Sequence, residues 1–137
     1  MGLWNKLFGN TNSAEQSRRL FLKGVQLLGE EEVDEALRCF DRAIELEPRS
    51  ASAWHWKGVT LDELGKPADA LTCFEMALAI TPDHASLHFD KGKAQAKLDR
   101  REEAIASFRE FLRLADASQH GKLLGEARDR IDELTAN

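Results

Sequence analysis

The sequence predicts an all-α fold of three stacked helical hairpins followed by one terminal helix. The first observation is a period of 34 residues in a chain of 137, set by Gly24, Gly58 and Gly92. Alanine and phenylalanine recur with the same period, at Ala36, Ala70 and Ala104 and at Phe40, Phe74 and Phe108. Within each period the apolar residues have helical spacing, and nowhere do they alternate as in a strand. A helical unit that stacks on its neighbours accounts for these observations.

Composition narrows the class of protein. Hydrophobic residues are 42% of the chain and charged residues 31%, proportions typical of a globular domain. The formal net charge of −5 excludes a protein that binds nucleic acid by tracking its phosphates. No apolar run approaches the roughly 18 residues of a membrane span. Two cysteines cannot form a disulfide framework, so a reducing compartment, the cytoplasm, is the expected location.

Residues 1–13 are predicted to be a short amphipathic segment and a polar linker. Leu3, Trp4, Leu7 and Phe8 share one face of a short helix, and residues 10–13 have turn-forming side chains. The segment lacks the length and cleavage site of a signal peptide. Its role is left open between packing or disorder at the edge of the first repeat, self-association by docking in a groove, and contact with a membrane.

Residues 14–118 hold the three repeats, assigned to residues 17–50, 51–84 and 85–118. Each repeat is read as two helices joined by a short turn. In each, a glycine on the first helix and an alanine on the second allow close approach of the two backbones, and the phenylalanine fills the remaining space.

Capping and proline signals give the predicted helix ends. A capping box beginning at Ser13 opens the first helix. Pro48 ends the second helix, because the residue before a proline disfavours the helical conformation. Pro67 suits the first turn of the second helix in the next repeat. Asp99 is predicted to be the N-cap of the corresponding helix in the third repeat.

Residues 119–137 are predicted to form a C-terminal capping helix. They carry one apolar stripe, made of Leu123, Leu124, Ala127, Ile131 and Leu134. Phe111 occupies a place where the first two repeats have a small residue, Ala43 or Ala77. We therefore expect Phe111 to pack against this helix.

Residues with catalytic or metal-binding chemistry are few and poorly placed. Cys39 and Cys73 lie on equivalent helices, which are at least ~8–10 Å apart, too far for a disulfide. His84 and His88 are four residues apart, but a zinc site needs three or four protein ligands. No phosphate-binding glycine loop, nucleophile elbow or Cys-x-x-Cys motif occurs. The sequence therefore predicts no enzyme, no cofactor and no metal.

The second repeat resembles the tetratricopeptide repeat. The stretch 54–61, Trp-His-Trp-Lys-Gly-Val-Thr-Leu, is followed by Ala70, Phe74, Ala77 and Pro82, close to the family pattern W-x₂-L-G-x₂-Y…A-x₃-F…P. The resemblance implies a right-handed superhelix with a solvating C-terminal helix, in which the first helices of the hairpins line a concave groove for peptides. Departures from the pattern cluster in the third repeat, where His88 and Asp116 replace the usual Trp or Leu and Pro.

One well-known variant of this family clamps the C-terminal carboxylate of a chaperone with Lys, Asn and Arg side chains. The matching positions here are Phe21, Val25, Trp56, Ser86 and Asp90. None agrees with the variant, and Asp90 would repel a carboxylate. A carboxylate clamp is therefore not expected.

The expected function is a non-enzymatic scaffold that binds an apolar or amphipathic peptide or helix of a protein partner. The predicted groove residues are Phe21, Leu22, Val25, His55, Trp56, Val59, Phe89, Asp90 and Lys93, with Arg18, Ser52, Asp62 and Lys97 on the same faces. Trp56 is the expected anchor, because Trp54 already fills the packing position, whereas Phe21 and Phe89 could instead pack between helices. Lys93 and Lys97 would favour an acidic flank on the ligand. The alternative function is a membrane-surface assembly factor tethered by residues 1–9.

Overall fold

The computed structural model describes residues 2–136, and the side chains of residues 4–11 lie outside the described part. The helices found there are α1 (Gly2–Gly29), α2 (Val33–Leu46), α3 (Ala51–Glu63), α4 (Pro67–Ile80), α5 (Ala85–Lys97), α6 (Arg101–Leu114) and α7 (Ala117–Thr135). Three hairpins form, α1 with α2, α3 with α4 and α5 with α6, and α7 packs on α6. The predicted all-α architecture is confirmed.

Each hairpin is held by the same contact between a glycine and a phenylalanine. A Cβ atom added to Gly24, Gly58 or Gly92 would lie 2.6 to 2.9 Å from the facing aromatic ring. Those rings belong to Phe40, Phe74 and Phe108, and all three are buried. A side chain larger than hydrogen does not fit at these positions, which explains why glycine recurs in the middle of a helix where it costs stability.

The turn inside each hairpin is also repeated. Backbone hydrogen bonds of 2.8 to 2.9 Å close it, from Glu32 N–H to Leu27 O, from Lys66 N–H to Leu61 O and from Arg100 N–H to Gln95 O. This is the 6→1 bond of a Schellman motif. The residue inside the motif has a left-handed backbone each time, with φ of 63° at Glu31, 77° at Gly65 and 59° at Asp99.

The predicted N-cap at Asp99 is wrong. Arg100 is the N-cap of α6 and makes no side-chain cap hydrogen bond. Asp99 instead supplies the left-handed residue that ends α5, a conformation that aspartate tolerates better than most residues. The predictions at Pro48 and Pro67 are confirmed, since α2 ends at Leu46 and α4 begins at Pro67.

The predicted linker at residues 10–13 is also wrong, because α1 is one continuous helix from Gly2 to Gly29. The Asn12 side chain accepts a 3.5 Å hydrogen bond from the Gln16 amide one turn on, rather than starting a turn. Turn-forming residues cost only a few tenths of a kcal/mol each in a helix, so without proline the helix continues. Ser17 donates a 2.7 Å hydrogen bond to Ala43 O near the end of α2, so the first turns of α1 extend beyond α2.

The last helix covers the third repeat from the C-terminal side. Phe111 is fully buried, and its ring packs against Phe89 at 5.2 Å and His120 at 5.8 Å between centroids. Leu123, Leu124, Ile131 and Leu134 pack on the same cluster around the buried Ala127. The predicted contact of Phe111 with the terminal helix is confirmed. One turn of helix begins before the predicted start, at Ala117, where Asp116 caps it by accepting a hydrogen bond from Ser118 N–H. His120, with φ of −120° and ψ of 15°, then kinks α7 before its longer part.

Candidate peptide-binding surface

The first helices of the hairpins, α1, α3 and α5, lie side by side and form one surface, which we call the α1–α3–α5 surface. Because the repeat is regular, one helix position recurs on all three helices. Phe21, His55 and Phe89 share one such position. Leu22, Trp56 and Asp90 share the next, and Val25, Val59 and Lys93 share a third. These rows contain the predicted site residues, so their chemistry can be compared helix by helix.

At the junction between α3 and α5, one hydrogen bond between a histidine and an aspartate and one ion pair join the helices. His55 Nε2 lies 2.6 Å from Asp90 Oδ2, and Lys97 Nζ lies 2.8 Å from Asp62 Oδ2. The Asp62 side chain is only 7% exposed, and its Oδ1 atom has no hydrogen-bond partner. Both pairs are 35 residues apart in sequence. The two contacts thus give each of the two aspartates of this junction a partner on the neighbouring first helix.

At the junction between α1 and α3, the equivalent positions cannot form these pairs. One repeat earlier, His55 and Asp90 correspond to Phe21 and Trp56, and Asp62 and Lys97 correspond to Leu28 and Glu63. The side chains of Leu22 and Trp56 remain 54% and 38% exposed. A cleft of about 410 Å³ opens here, lined by Ala14, Ser17, Arg18, Phe21, Leu22, Glu47, Ser50 and Ser52. The first junction is therefore open and more apolar, whereas the second is closed by charges.

The predicted groove residues differ in accessibility. Phe89 is only 3% exposed, with its ring 5.5 Å from Phe108 and 5.2 Å from Phe111. Of the two interpretations left open for Phe89, packing between helices is the one that the structure shows, because Phe108 and Phe111 of α6 cover its ring. Phe21 is half-buried, with its ring centroid 6.1 Å from that of Phe40. Val25 and Val59 are half-buried and pack on the cores of their hairpins.

The two neighbouring tryptophans have different environments. The Trp54 indole donates a 3.0 Å hydrogen bond to Pro48 O, and its ring packs against the core of the second hairpin. His88, one repeat later, places Nε2 2.8 Å from Pro82 O, the equivalent carbonyl. His88 thus reproduces the polar contact of the tryptophan it replaces. Trp56 is the exposed member of the pair.

Three histidines from different elements lie near the α3–α5 junction. The ring centroids of His55 and His84 are 5.5 Å apart, and His84 and His120 line a common pocket. Burial lowers the pKa of His84, and the neighbouring His55 lowers it further. His84 and His88 do not converge, since His88 is bonded to Pro82 O. Among residues 2–136 with described side chains, no group of three or more His, Cys, Asp or Glu could hold a metal ion.

The cysteines show no sign of reactivity. Cys73 is buried in the second hairpin, and burial raises the pKa of its thiol to about 11. A thiol with so high a pKa remains protonated at neutral pH and is a poor nucleophile. Cys39 is a free, half-buried residue of the first hairpin.

The predicted self-association and membrane roles of the N-terminal segment depend on side chains that are mostly not described. Trp4, Leu7 and Phe8 lie among the undescribed side chains, and Leu3 is 73% exposed. No helix in the described range 2–136 combines the length and apolar character needed to span a membrane. The self-association and tether hypotheses therefore stay predictions.

Sequence reasoning missed both of these contacts between α3 and α5. It placed all four residues on the correct helices but treated Lys97 as free for a ligand. A detectable signal was present, since His55 and Asp90, and the oppositely charged Asp62 and Lys97, are each separated by the repeat length plus one. The first helices of these two repeats therefore contact each other through residues that are 35 positions apart in the sequence.

Proteins of known structure share this geometry. A family model described as tetratricopeptide repeat matches residues 21–85 and 58–121. The first TPR of Spaghetti (RPAP3) bound to HSP90 peptide SRMEEVD is similar with a TM-score of 0.80 and 19% identity, over 90% of this chain and 93% of that chain. The Arabidopsis OM64 TPR domain is similar with a TM-score of 0.78 and 22% identity, over 89% and 96%.

A bacterial structure has the same architecture. The Yersinia enterocolitica type III secretion chaperone SycD, in complex with a peptide of the translocator YopD, is similar with a TM-score of 0.82 and 11% identity, over 87% of this chain and 92% of that chain. Likenesses at such low identity show the fold alone. The comparison with curated protein sequences finds no significant match.

Proposed function

The chain belongs to the tetratricopeptide repeat family, and from this we propose that it is a non-enzymatic scaffold that binds an apolar or amphipathic peptide segment of a partner protein on its α1–α3–α5 surface. Repeats of this family generally mediate contacts between proteins. Similar structures hold a peptide, as the HSP90 and YopD complexes do. For this chain we define the partner by the chemistry of the segment that binds, which is apolar or amphipathic.

The observation that carries the proposal is the exposure of Leu22 and Trp56 at the first junction. They occupy the same helix position one repeat apart. Leu22 lines a cleft of about 410 Å³ together with Phe21, and Trp56 lies one helical turn after Ser52 of the same lining. An exposed aromatic side chain near a cleft of mixed polarity is a suitable anchor point for an amphipathic peptide. The second junction lacks this character, since its equivalent residue is Asp90, which is hydrogen-bonded to His55.

We further propose that the ligand is not held by a carboxylate clamp. The surface positions that would supply the Lys, Asn and Arg side chains of the clamp hold Phe21, Val25, Trp56, Ser86 and Asp90. Of these, Asp90 carries negative charge and is directed to His55 at 2.6 Å. Apolar contact is therefore expected to supply most of the binding free energy.

The proposal is tested with peptides selected on the protein itself. A displayed library of random 12-residue peptides is selected on the full chain, and each enriched peptide is assayed with Trp56→Ala by fluorescence anisotropy. Loss of a central aromatic anchor should cost at least ~2 kcal/mol, roughly a thirtyfold rise in Kd. The melting temperature should remain close to that of the wild type, because Trp56 contributes little to the core.

Two substitutions serve as matched controls. Met76→Ala removes another exposed apolar residue, 43% exposed on α4, away from the α1–α3–α5 surface, and should leave Kd unchanged. Trp54→Ala removes the packed tryptophan two residues away and should lower stability. The proposal fails if no peptide is enriched, if enriched peptides bind Trp56→Ala normally, or if Trp56→Ala unfolds the domain.

A further inference from the structure

We propose that the peptide partner carries an acidic side chain next to its apolar anchor and that Lys93 is the residue that pairs with it. This inference rests on the proposed function and adds the polarity of the ligand. It assigns one end of the α1–α3–α5 surface to the apolar anchor and the other end to a carboxylate.

The first step identifies the charged side chain near the junction between α3 and α5 that has no partner of opposite charge. Asp90 is engaged by His55, and Asp62 is engaged by Lys97. Among residues with described side chains, Lys93 has no carboxylate within ion-pair distance. Its Nζ atom lies 5.7 Å from the Phe89 ring centroid, a contact that supplies no opposite charge. Of the two lysines expected to attract an acidic ligand, Lys93 alone has no carboxylate partner of its own.

The neighbouring acid does not neutralise Lys93 fully. Asp90 lies one turn earlier on the same helix, but its side chain is 20% exposed and its Oδ2 atom is directed to α3. The Asp90 carboxylate is thus engaged across the junction, whereas the half-buried Lys93 has no carboxylate partner among the described side chains. An approaching carboxylate is attracted even though the whole chain has a net charge of −5.

The second step is distance along the surface. Lys93 continues the row whose earlier members are Val25 and Val59, so it stands one helix beyond the row that flanks Trp56. Packed helices are about 8–10 Å apart. An extended peptide advances about 3.3 Å per residue, so the acid should lie about three residues from the anchor. In a helical peptide, with a rise of about 1.5 Å per residue, the offset is about two turns.

The experiment selects the same library of random 12-residue peptides on the full-length wild type and on charge variants. Wild type should enrich Asp or Glu about three or about seven residues from a Leu, Phe or Trp. Lys93→Glu should enrich Lys or Arg at that offset, and Lys93→Gln should show no preference for either charge. For a single selected peptide, Lys93→Glu should raise Kd about tenfold, and replacing the acid of the peptide by Lys should restore most of the loss.

Lys91→Glu is the matched control, since it makes the same change in net charge on the same helix. Lys91 occupies the repeat position of Lys57, which pairs with Asp41 of α2 rather than facing the proposed ligand. This variant should select the same peptides as the wild type. Added salt should reduce the preference for acidic peptides without abolishing binding.

The outcomes separate this inference from the proposed function. If Lys93→Glu still prefers acidic peptides, or if wild type prefers none, the inference is overturned, while sensitivity to Trp56→Ala keeps the proposed function. If no enriched peptide depends on Trp56, the proposed function fails and the inference fails with it. Circular dichroism of each variant shows whether the fold is retained, and Lys93→Gln tests the charge without introducing repulsion.

Discussion

The junction between the first and second repeats and the junction between the second and third occupy equivalent places in the fold but differ in chemistry. At the second, His55 meets Asp90 and Lys97 meets Asp62, with distances of 2.6 and 2.8 Å. At the first, the corresponding pairs are Phe21 with Trp56 and Leu28 with Glu63. The same backbone arrangement thus supports an ion-paired contact in one place and an open apolar surface in the other.

The difference shows which interactions hold the stack together. Inside every hairpin a glycine faces a buried phenylalanine, and this contact is the same in all three repeats. Because the hairpins depend on that contact, the residues between neighbouring first helices can vary without changing the fold. The variable positions are therefore available for function, as expected for repeats whose stability is a sum of local terms.

The largest expected effect comes from breaking an ion pair of the second junction. Lys97→Met keeps the aliphatic part of the side chain but leaves the buried Asp62 carboxylate without its cation. The Oδ1 atom of Asp62 already lacks a hydrogen-bond partner, so the loss is not compensated. Since Lys97 is itself 47% exposed, we expect a loss of about 1–2 kcal/mol, below the usual cost of breaking a fully buried pair.

Glu63→Gln provides the control for that substitution at the first junction. Glu63 holds the repeat position of Lys97 but makes no ion pair among the described side chains, so its substitution should change the free energy of unfolding by less than about 0.5 kcal/mol. Urea denaturation of both variants measures the difference. Equal effects at the two positions would contradict the contrast between the junctions.

Much of this contrast could be predicted from the sequence, because a period of 34 residues aligns the equivalent helix positions of the three repeats. The period predicts the helix pairs, the glycine and phenylalanine contacts and the exposed Trp56. It does not decide between groove lining and burial for Phe89, because that depends on how closely α7 and Phe111 cover the last repeat. Contacts with a terminal helix have no equivalent in the repeats and so cannot be read from the period.

The wrong prediction of a linker between the N-terminal segment and the first repeat has a different cause. Residues 10–13 have turn-forming side chains, but their individual preferences are weak and α1 continues through them. The contacts between α3 and α5 were missed because each residue was assigned to a face of its own helix alone. Which residue of the neighbouring first helix it would contact was not considered. Local preferences thus predicted elements well where the repeat supported them and poorly where it did not.

A smaller effect is expected in the turns, where the first and second hairpins also differ. Gly65 has φ of 77° at no steric cost, whereas Glu31 adopts φ of 63° at the equivalent place. Glu31→Gly should remove this strain and stabilise the protein by about 0.5–1 kcal/mol. Part of this gain is offset because glycine has more conformational entropy in the unfolded chain. Asp99→Gly should give a smaller gain, because aspartate tolerates this conformation better.

Thermal and urea denaturation of Glu31→Gly, with Gly65→Ala as the reverse change in the second hairpin, test this expectation. Gly65→Ala has open space for its Cβ atom, so any destabilisation reports the backbone conformation alone. A Glu31→Gly variant less stable than wild type would show that the side chain of Glu31 contributes more than its backbone costs.

The smallest expected effect is a pH dependence confined to the second junction. Burial and then the proximity of His55 lower the pKa of His84 below 6.5, so the unfolded chain binds a proton there more readily than the folded one. The stability contributed by keeping His84 neutral is therefore fully present above about pH 6.5 and is lost as the pH falls below it. The nearby His120 also lowers the pKa of His84, and Asp90 raises it in part.

Amide hydrogen exchange at about pH 7.5 and about pH 5.5, corrected for intrinsic exchange, locates the effect. Acid should lower protection in α5 and α7, which flank the histidines, and leave α1 and α2 unchanged, because residues 1–54 contain no histidine. His84→Gln should reduce the loss in α5 and α7. His88→Gln, four residues away and bonded to Pro82 O instead of the other histidines, should keep the wild-type pH response even if it lowers stability at both pH values. A uniform loss of protection over all seven helices, or no change with His84→Gln, would show that the junction chemistry does not control the response to acid.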